Sequence, residues 1–133
     1  MPIMEDPQRA LQLWSLLALA AKTQTVLTYD EVADLTGLAN EHGRQLGYIG
    51  FYCMKNDLPL LPSLDVSQKT GNPTAGFYRD IDISAEHRRC FAYDWRKEGV
   101  LPTIEALKDA WDNREKIEEE YKARRKGATA TAA

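Results

Sequence analysis

The run Leu27–Ile49, LTYDEVADLTGLANEHGRQLGYI, constrains the fold more than any other stretch of the chain. Thr28 and Glu31 stand at the S/T-x-x-E spacing. There the threonine side chain accepts a backbone N–H and the glutamate reaches back, so a helix starts here. Val32, Ala33 and Leu35 give that helix an apolar face, and Gly37 fits the left-handed position that ends it. Asn40 is the expected cap of the next helix, which runs to about Asn56 and carries Leu46, Ile49, Phe51 or Tyr52, and Met54. Two short helices joined by a glycine turn form a helix-turn-helix pattern.

Residues 58–78 read as strand, turn and strand. Leu58–Val66 holds Pro59 and Pro62, which suits an edge strand or an extended segment. Lys69-Thr70-Gly71-Asn72-Pro73 is turn chemistry, and Ala75-Gly76-Phe77-Tyr78 returns as the second arm. The expected fold is therefore mainly α with a small β wing: a winged helix-turn-helix with extra N- and C-terminal helices. It forms a single domain over residues 1–126.

The flanks are helical. Asp6-Pro7 starts a helix in which Leu11, Trp14, Leu17, Ala18 and Ala21 repeat at helical spacing, widened by Leu13, Leu16 and Leu19. So broad an apolar stripe must be buried deeply or covered by a second surface. After a short β-prone link at Thr23–Leu27, the helix pair begins. Downstream, AEHRRCFAYDW is read as a helix capped by Ser84, although Phe91, Tyr93 and Trp95 alternate as in a strand. Thr103 caps a long helix over about 103–125, with Ile104, Leu107, Ala110 and Trp111 toward the core. Beyond Asn113 it is almost wholly charged, supported by pairs such as Glu118–Lys122 and Glu120–Arg124. Residues 127–133 are expected to be a disordered tail.

Gly43, Gly47 and Gly50 each weaken the second helix of the pair by up to ~1 kcal/mol against alanine. Something must therefore approach its backbone. Packing against the first helix and approach of a ligand or nucleic acid stand as equal readings.

Charge bears on function. Residues 28–80 carry seven acids (Asp30, Glu31, Asp34, Glu41, Asp57, Asp65, Asp80) against four bases (Arg44, Lys55, Lys69, Arg79). The net charge of −3 thus sits in the segment expected to read nucleic acid, although phosphate neutralisation supplies much of that affinity. Leu11–Ala21 is shorter than the ~20 residues of a membrane span, and Glu5 and Asp6 precede it where a signal peptide has bases. No membrane partner and a cytoplasmic location are expected. Cys53 and Cys90 stand far apart, with His42 and His87 remote in sequence, so buried thiols are expected rather than a metal site. Asp80, Asp82 and Asp94 read as solvated carboxylates rather than metal ligands. Phe91, Tyr93, Trp95 and Trp111 read as core-finishing aromatics.

In a helix-turn-helix the second helix enters the major groove. The candidate contacts are Glu41, Arg44, Gln45, Tyr48 and Lys55, joined by Asn56 and by Lys69 on the wing. Arginine can bond guanine bidentately and glutamine adenine.

The order of these residues resembles the DNA-binding domain of the alkylguanine-DNA alkyltransferases and the alkyltransferase-like proteins. Thr28-Tyr29-Asp30-Glu31-Val32-Ala33 is similar to the family's helix start, Arg44-Gln45-Leu46-Gly47 to the Arg-x-x-Gly of its recognition helix, and Asn56 and Pro59 to the Asn and Pro before its active-site strand. That strand, Pro-Cys-His-Arg-Val in the family, falls on Pro62-Ser63-Leu64-Asp65-Val66, and a later Gly-x-Tyr resembles Gly76-Phe77-Tyr78. The resemblance spans residues 28–78. It implies that Arg44 enters the duplex where a base is flipped out and that Tyr29 presses on the backbone phosphate. It also implies no alkyl transfer, because Ser63 and Leu64 replace the cysteine and the histidine that activates it, and serine without a base is not a nucleophile.

The expected function is a non-enzymatic winged-helix module, without cofactor or metal, that binds DNA or RNA through Tyr29, Arg44, Gln45, Tyr48, Lys55, Asn56 and Lys69. The alternative is a protein-interaction module: an adaptor, a complex subunit, or a phage or mobile-element inhibitor. Such a module would meet its partner through the first helix or the charged C-terminal helix.

Overall fold

A computed structural model describes residues 6–38, 42–74, 78 and 80–132, with the backbone alone over 126–132. Its described elements are α1 (Asp6–Lys22), β1 (Leu27–Thr28), α2 (Tyr29–Thr36), α3 (Gly43–Lys55), a 3-10 helix (Leu61–Leu64), β2 (Asp65–Val66), α4 (Ile83–Ala92), α5 (Ile104–Asp112) and α6 (Arg114–Ala132). The protein is mainly helical, with one small two-stranded sheet among the described residues.

Several local signals act at their expected positions. Glu31 N–H donates to Thr28 Oγ1 at 3.2 Å while Glu31 Oε1 accepts from the Thr28 N–H at 3.2 Å, which completes the capping box of α2. Gly37 ends α2 at φ 75° and donates its N–H to the Ala33 carbonyl. Thr103 caps α5 by accepting the Ala106 N–H at 3.0 Å. The expected Asn40 cap lies outside the described residues; His42 stands at the N-cap of α3 without a side-chain capping bond.

Other expectations are corrected. Leu58–Val66 is not a long strand: its centre winds into the 3-10 helix, with Pro62 in the first turn, where its missing N–H breaks no bond. β2 pairs in parallel with β1, Leu27 opposite Asp65 and Thr28 opposite Val66, a pairing not anticipated from the sequence. Parallel strands need a crossover, and α2 and α3 supply it. The expected return arm at 75–77 lies outside the described residues. Asp82, not Ser84, caps α4, by accepting the Ala85 N–H at 3.1 Å. The single C-terminal helix is two, broken at Asn113, whose Nδ2 donates to the Asp109 carbonyl at 2.8 Å. The backbone of 127–132, expected as a tail, continues α6.

α1 and α3 form the centre. α3 packs on α1, α5 and α6; α1 packs on α3, α4, α5 and the 3-10 helix. On α1, Ala10, Leu13, Trp14, Leu17, Ala20 and Ala21 are buried, as the broad stripe requires, whereas Leu19 is exposed. Each fully buried leucine contributes roughly 2 kcal/mol. Trp14 meets Tyr52 and Trp95 edge-on, both at 5.6 Å, and Trp95 Nε1 donates to the Cys90 carbonyl at 2.8 Å. No helix among the described residues is long and apolar enough to cross a membrane.

Candidate functional site

Residues 44, 48, 51 and 55 recur every three to four positions, so they share one side of α3. That side meets α5. Tyr48 is buried and stacks on Trp111 at 4.7 Å, and Phe51 approaches the same ring at 6.2 Å. Arg44 lies over Trp111, its Cζ 5.9 Å from the ring centre, and its Nη1 is 3.3 Å from Asp6 Oδ2. Lys55 Nζ donates to Asp109 Oδ2 at 2.7 Å. Gln45, beside this face, donates to Asp6 Oδ1 at 2.8 Å. Asn56 ends α3 and donates to the Tyr52 carbonyl at 2.9 Å. The side of the helix that would enter a groove is thus lined by α5 and the start of α1.

Gly47 explains part of this contact. A Cβ there would stand 2.7 Å from Trp111 Cζ3, while one at Gly43 would meet nothing within 4 Å. At Gly47 the close approach anticipated from the glycines is therefore tight packing against α5.

Tyr29 sits elsewhere. Its hydroxyl accepts the Thr74 N–H at 3.0 Å and is 3.0 Å from Thr74 Oγ1, so it ties the start of α2 to the segment after the 67–72 turn. Its ring meets His42 edge-on at 5.6 Å. His42 Nε2 is hydrogen-bonded to Asp65 Oδ2, and both residues are buried. Burial pushes the Asp65 carboxyl up from its ordinary value, and His42 pulls it back in part. Asp65 Oδ1 is buried with no hydrogen-bond partner among the described residues. Lys69 is exposed on the turn, where its N–H donates to Ser67 Oγ. Glu41 and Arg79 lie outside the described residues. The candidates thus divide: Arg44, Tyr48 and Lys55 gather against α5, and Tyr29 and Lys69 belong to the α2–turn region.

Ser63 is buried, with its hydroxyl 3.9 Å from Cys90 Sγ, and its carbonyl accepts from His87 Nε2 at 2.7 Å. Both thiols are buried. Burial pushes Cys90 up to about 12 and Cys53 higher still, so both stay protonated at neutral pH. Among the described residues no three His, Cys, Asp or Glu side chains gather as metal ligands. Asp82 caps α4, and Asp94 accepts the Arg96 N–H at 3.1 Å.

A second polar cluster has no local signature in the sequence. Glu86 on α4 is 2% exposed. Its Oε2 accepts the Leu60 N–H at 2.9 Å, and its Oε1 is 2.6 Å from Arg89 Nη1 and 3.4 Å from Arg125 Nη1. Arg124, expected to pair with Glu120, instead donates to the Met54 carbonyl at 2.8 Å and lies 3.2 Å from Asp57 Oδ1. The expected Glu118–Lys122 pair is present at 3.0 Å. Leu60 is 26 residues from Glu86, and Met54 is 70 from Arg124, so no local pattern could have joined them.

Comparison with protein-family models, with curated proteins and with solved structures finds no significant match.

Proposed function

We propose that the chain is a non-catalytic interaction module whose partner is a protein with a basic rim around an apolar pocket. The observation that carries this reading is the outward face of α2. Of its eight residues only Val32 is buried, while Leu35 is 65% exposed beside exposed Glu31 and Asp34. At i, i+3 and i+4 spacing Asp34 and Leu35 each neighbour Glu31 on the helix surface, so an exposed leucine borders two carboxylates. Because the groove-facing side of α3 packs on α5, recognition through α2 requires no rearrangement of the bundle.

A photo-crosslinker placed at exposed Asp34 and activated in the cell of origin tests the proposal. Protein adducts that disappear in Leu35→Asp, with an unchanged melting curve, are the expected result. Nucleic-acid adducts, or protein adducts indifferent to Leu35→Asp, would overturn it.

Nucleic-acid binding by an alkyltransferase-like winged helix is the second reading. One observation favours it: the side chains of Arg44 and Lys55 are 65% and 51% exposed, so their charged ends reach solvent on either side of the α5 contact. An anisotropy titration at low salt decides it. Saturable binding weakened by Arg44→Ala supports this reading, and no binding to duplex or single strand removes it.

A further inference from the structure

We propose that the cavity between α4, α6 and the turn after α3 binds a phosphate-type oxyanion, gripped by Arg89, Arg124 and Arg125. The cavity measures about 220 Å³ and is lined by these three arginines with Asp57, Leu58 and Tyr121. That is below the ~300 Å³ at which pockets for drug-sized ligands begin, and it suits a single phosphate group. Three guanidinium groups face two carboxylates there, Glu86 and Asp57. One of the two, Glu86, is committed from behind: it also holds the Leu60 N–H and is closed off from solvent.

The arginines are held in place rather than solvated at random. Glu86 anchors Arg89, and the Met54 carbonyl anchors Arg124. Arg125 adds its charge from the adjoining position on α6 and donates to the Tyr121 hydroxyl at 2.9 Å. A guanidinium carries five N–H donors in a planar fork that matches a phosphate edge, so Arg89 and Arg124 keep donors to spare after these bonds. Burial raises the Tyr121 hydroxyl above its ordinary pKa, so it stays protonated and its hydrogen adds a neutral donor.

Asp57 is the gate. It is 72% exposed, stands at φ 54° and pairs with Arg124. An incoming dianion competes with this carboxylate for Arg124, and Asp57 yields to solvent because little packs on it. Asparagine tolerates the same left-handed backbone without the charge, so Asp57→Asn isolates the competition.

Calorimetric titration of the whole chain with sodium phosphate, against sodium chloride at matched ionic strength, tests the site. Saturable phosphate binding is expected, tightened by Asp57→Asn and weakened about tenfold or more by Arg124→Gln. A thermal melt checks that Arg124→Gln remains folded, and Arg124→Lys, which keeps the charge but loses the fork, should weaken binding less. No saturable binding, or affinities indifferent to Asp57→Asn and Arg124→Gln, would overturn the proposal. A 5′-phosphorylated dinucleotide distinguishes the sources. Affinity above that of inorganic phosphate assigns the site to a nucleic-acid end, and equal affinity assigns it to free phosphate. Equal binding of the unphosphorylated dinucleotide would count against the site. The cavity involves no α2 residue, so Leu35→Asp should leave phosphate binding unchanged whatever becomes of the α2 partner.

Discussion

Gly47 on α3 and Trp111 on α5 approach so closely that a Cβ on Gly47 would lie 2.7 Å from Trp111 Cζ3. Ordinarily Gly→Ala within a helix stabilises by up to about 1 kcal/mol. Here the added methyl forces the indole off its stack with Tyr48, and such overpacking costs roughly 1–3 kcal/mol. Gly47→Ala is therefore expected to lower the urea midpoint. Gly43→Ala, with open space around its Cβ, should leave the midpoint unchanged or raise it. Trp111→Leu in the Gly47→Ala background should recover part of the loss, as a double-mutant cycle would show. Equal effects at the two glycines would contradict the contact.

The His42–Asp65 pair predicts a pH-dependent variant. His42→Ala leaves a buried carboxylate without its partner, a loss of about 3 kcal/mol at neutral pH. Asp65 has its folded pKa raised by burial, so the folded state holds a proton that the unfolded state has released. Stability from such a group is fully present below the unfolded pKa and falls as pH rises through the folded one. Denaturation of His42→Ala at pH 4, 5.5 and 7 should show this fall relative to His42→Ala/Asp65→Asn, which lacks the carboxyl. Parallel pH profiles for the two would rule it out.

Glu86 holds two arginines and a backbone N–H from a position closed to solvent. Its loss orphans the Leu60 N–H and leaves Arg89 and Arg125 facing one another. Glu86→Ala should therefore destabilise by about 2 kcal/mol, chiefly through the orphaned Leu60 N–H, more than Glu118→Ala, whose solvent-screened pair with Lys122 is worth roughly 0.5 kcal/mol. Chemical denaturation of both variants provides the comparison.

The thiols set an alkaline limit. Cys90 is pushed from 9.0 up to about 12 by burial, and Cys53 moves the same way. Both stay protonated in the fold while the unfolded chain ionises above pH 9. Stability should hold below that value and then decline by about 1.4 kcal/mol per pH unit per thiol. Cys90→Ala should lessen the slope. At pH 8 a thiol reagent should react with neither cysteine until denaturant is added; prompt reaction in the native state would show that they are not buried.

Capping is legible in a sequence because it is local. Thr28 and Glu31 lie three residues apart, Gly37 needs only its own φ, and Thr103 needs only the Ala106 N–H. The helical character of α4 was legible too, but its cap was not, because Asp82 and Ser84 both offer an oxygen near the start; only the backbone path selects Asp82. The stripe on α1 foretold its burial. It did not foretell that α5 would meet Gly47 of α3.

The amino-acid sequence by itself determined both ends of α2, the end of α3 and the start of α5, that α1 is buried in the core, and that the thiols are buried. Caps, turns and 3.6-residue periodicity act over a few residues, and the chain carries those interactions wherever it goes. Tertiary structure alone decided that β2 pairs with β1, that α5 rests on the Arg44–Tyr48–Lys55 side of α3, and that Arg89, Arg124 and Arg125 gather around one cavity. Those contacts join side chains tens of residues apart. Their selection depends on how the whole bundle closes around Trp14, Leu17 and Ile49, which no local spacing records.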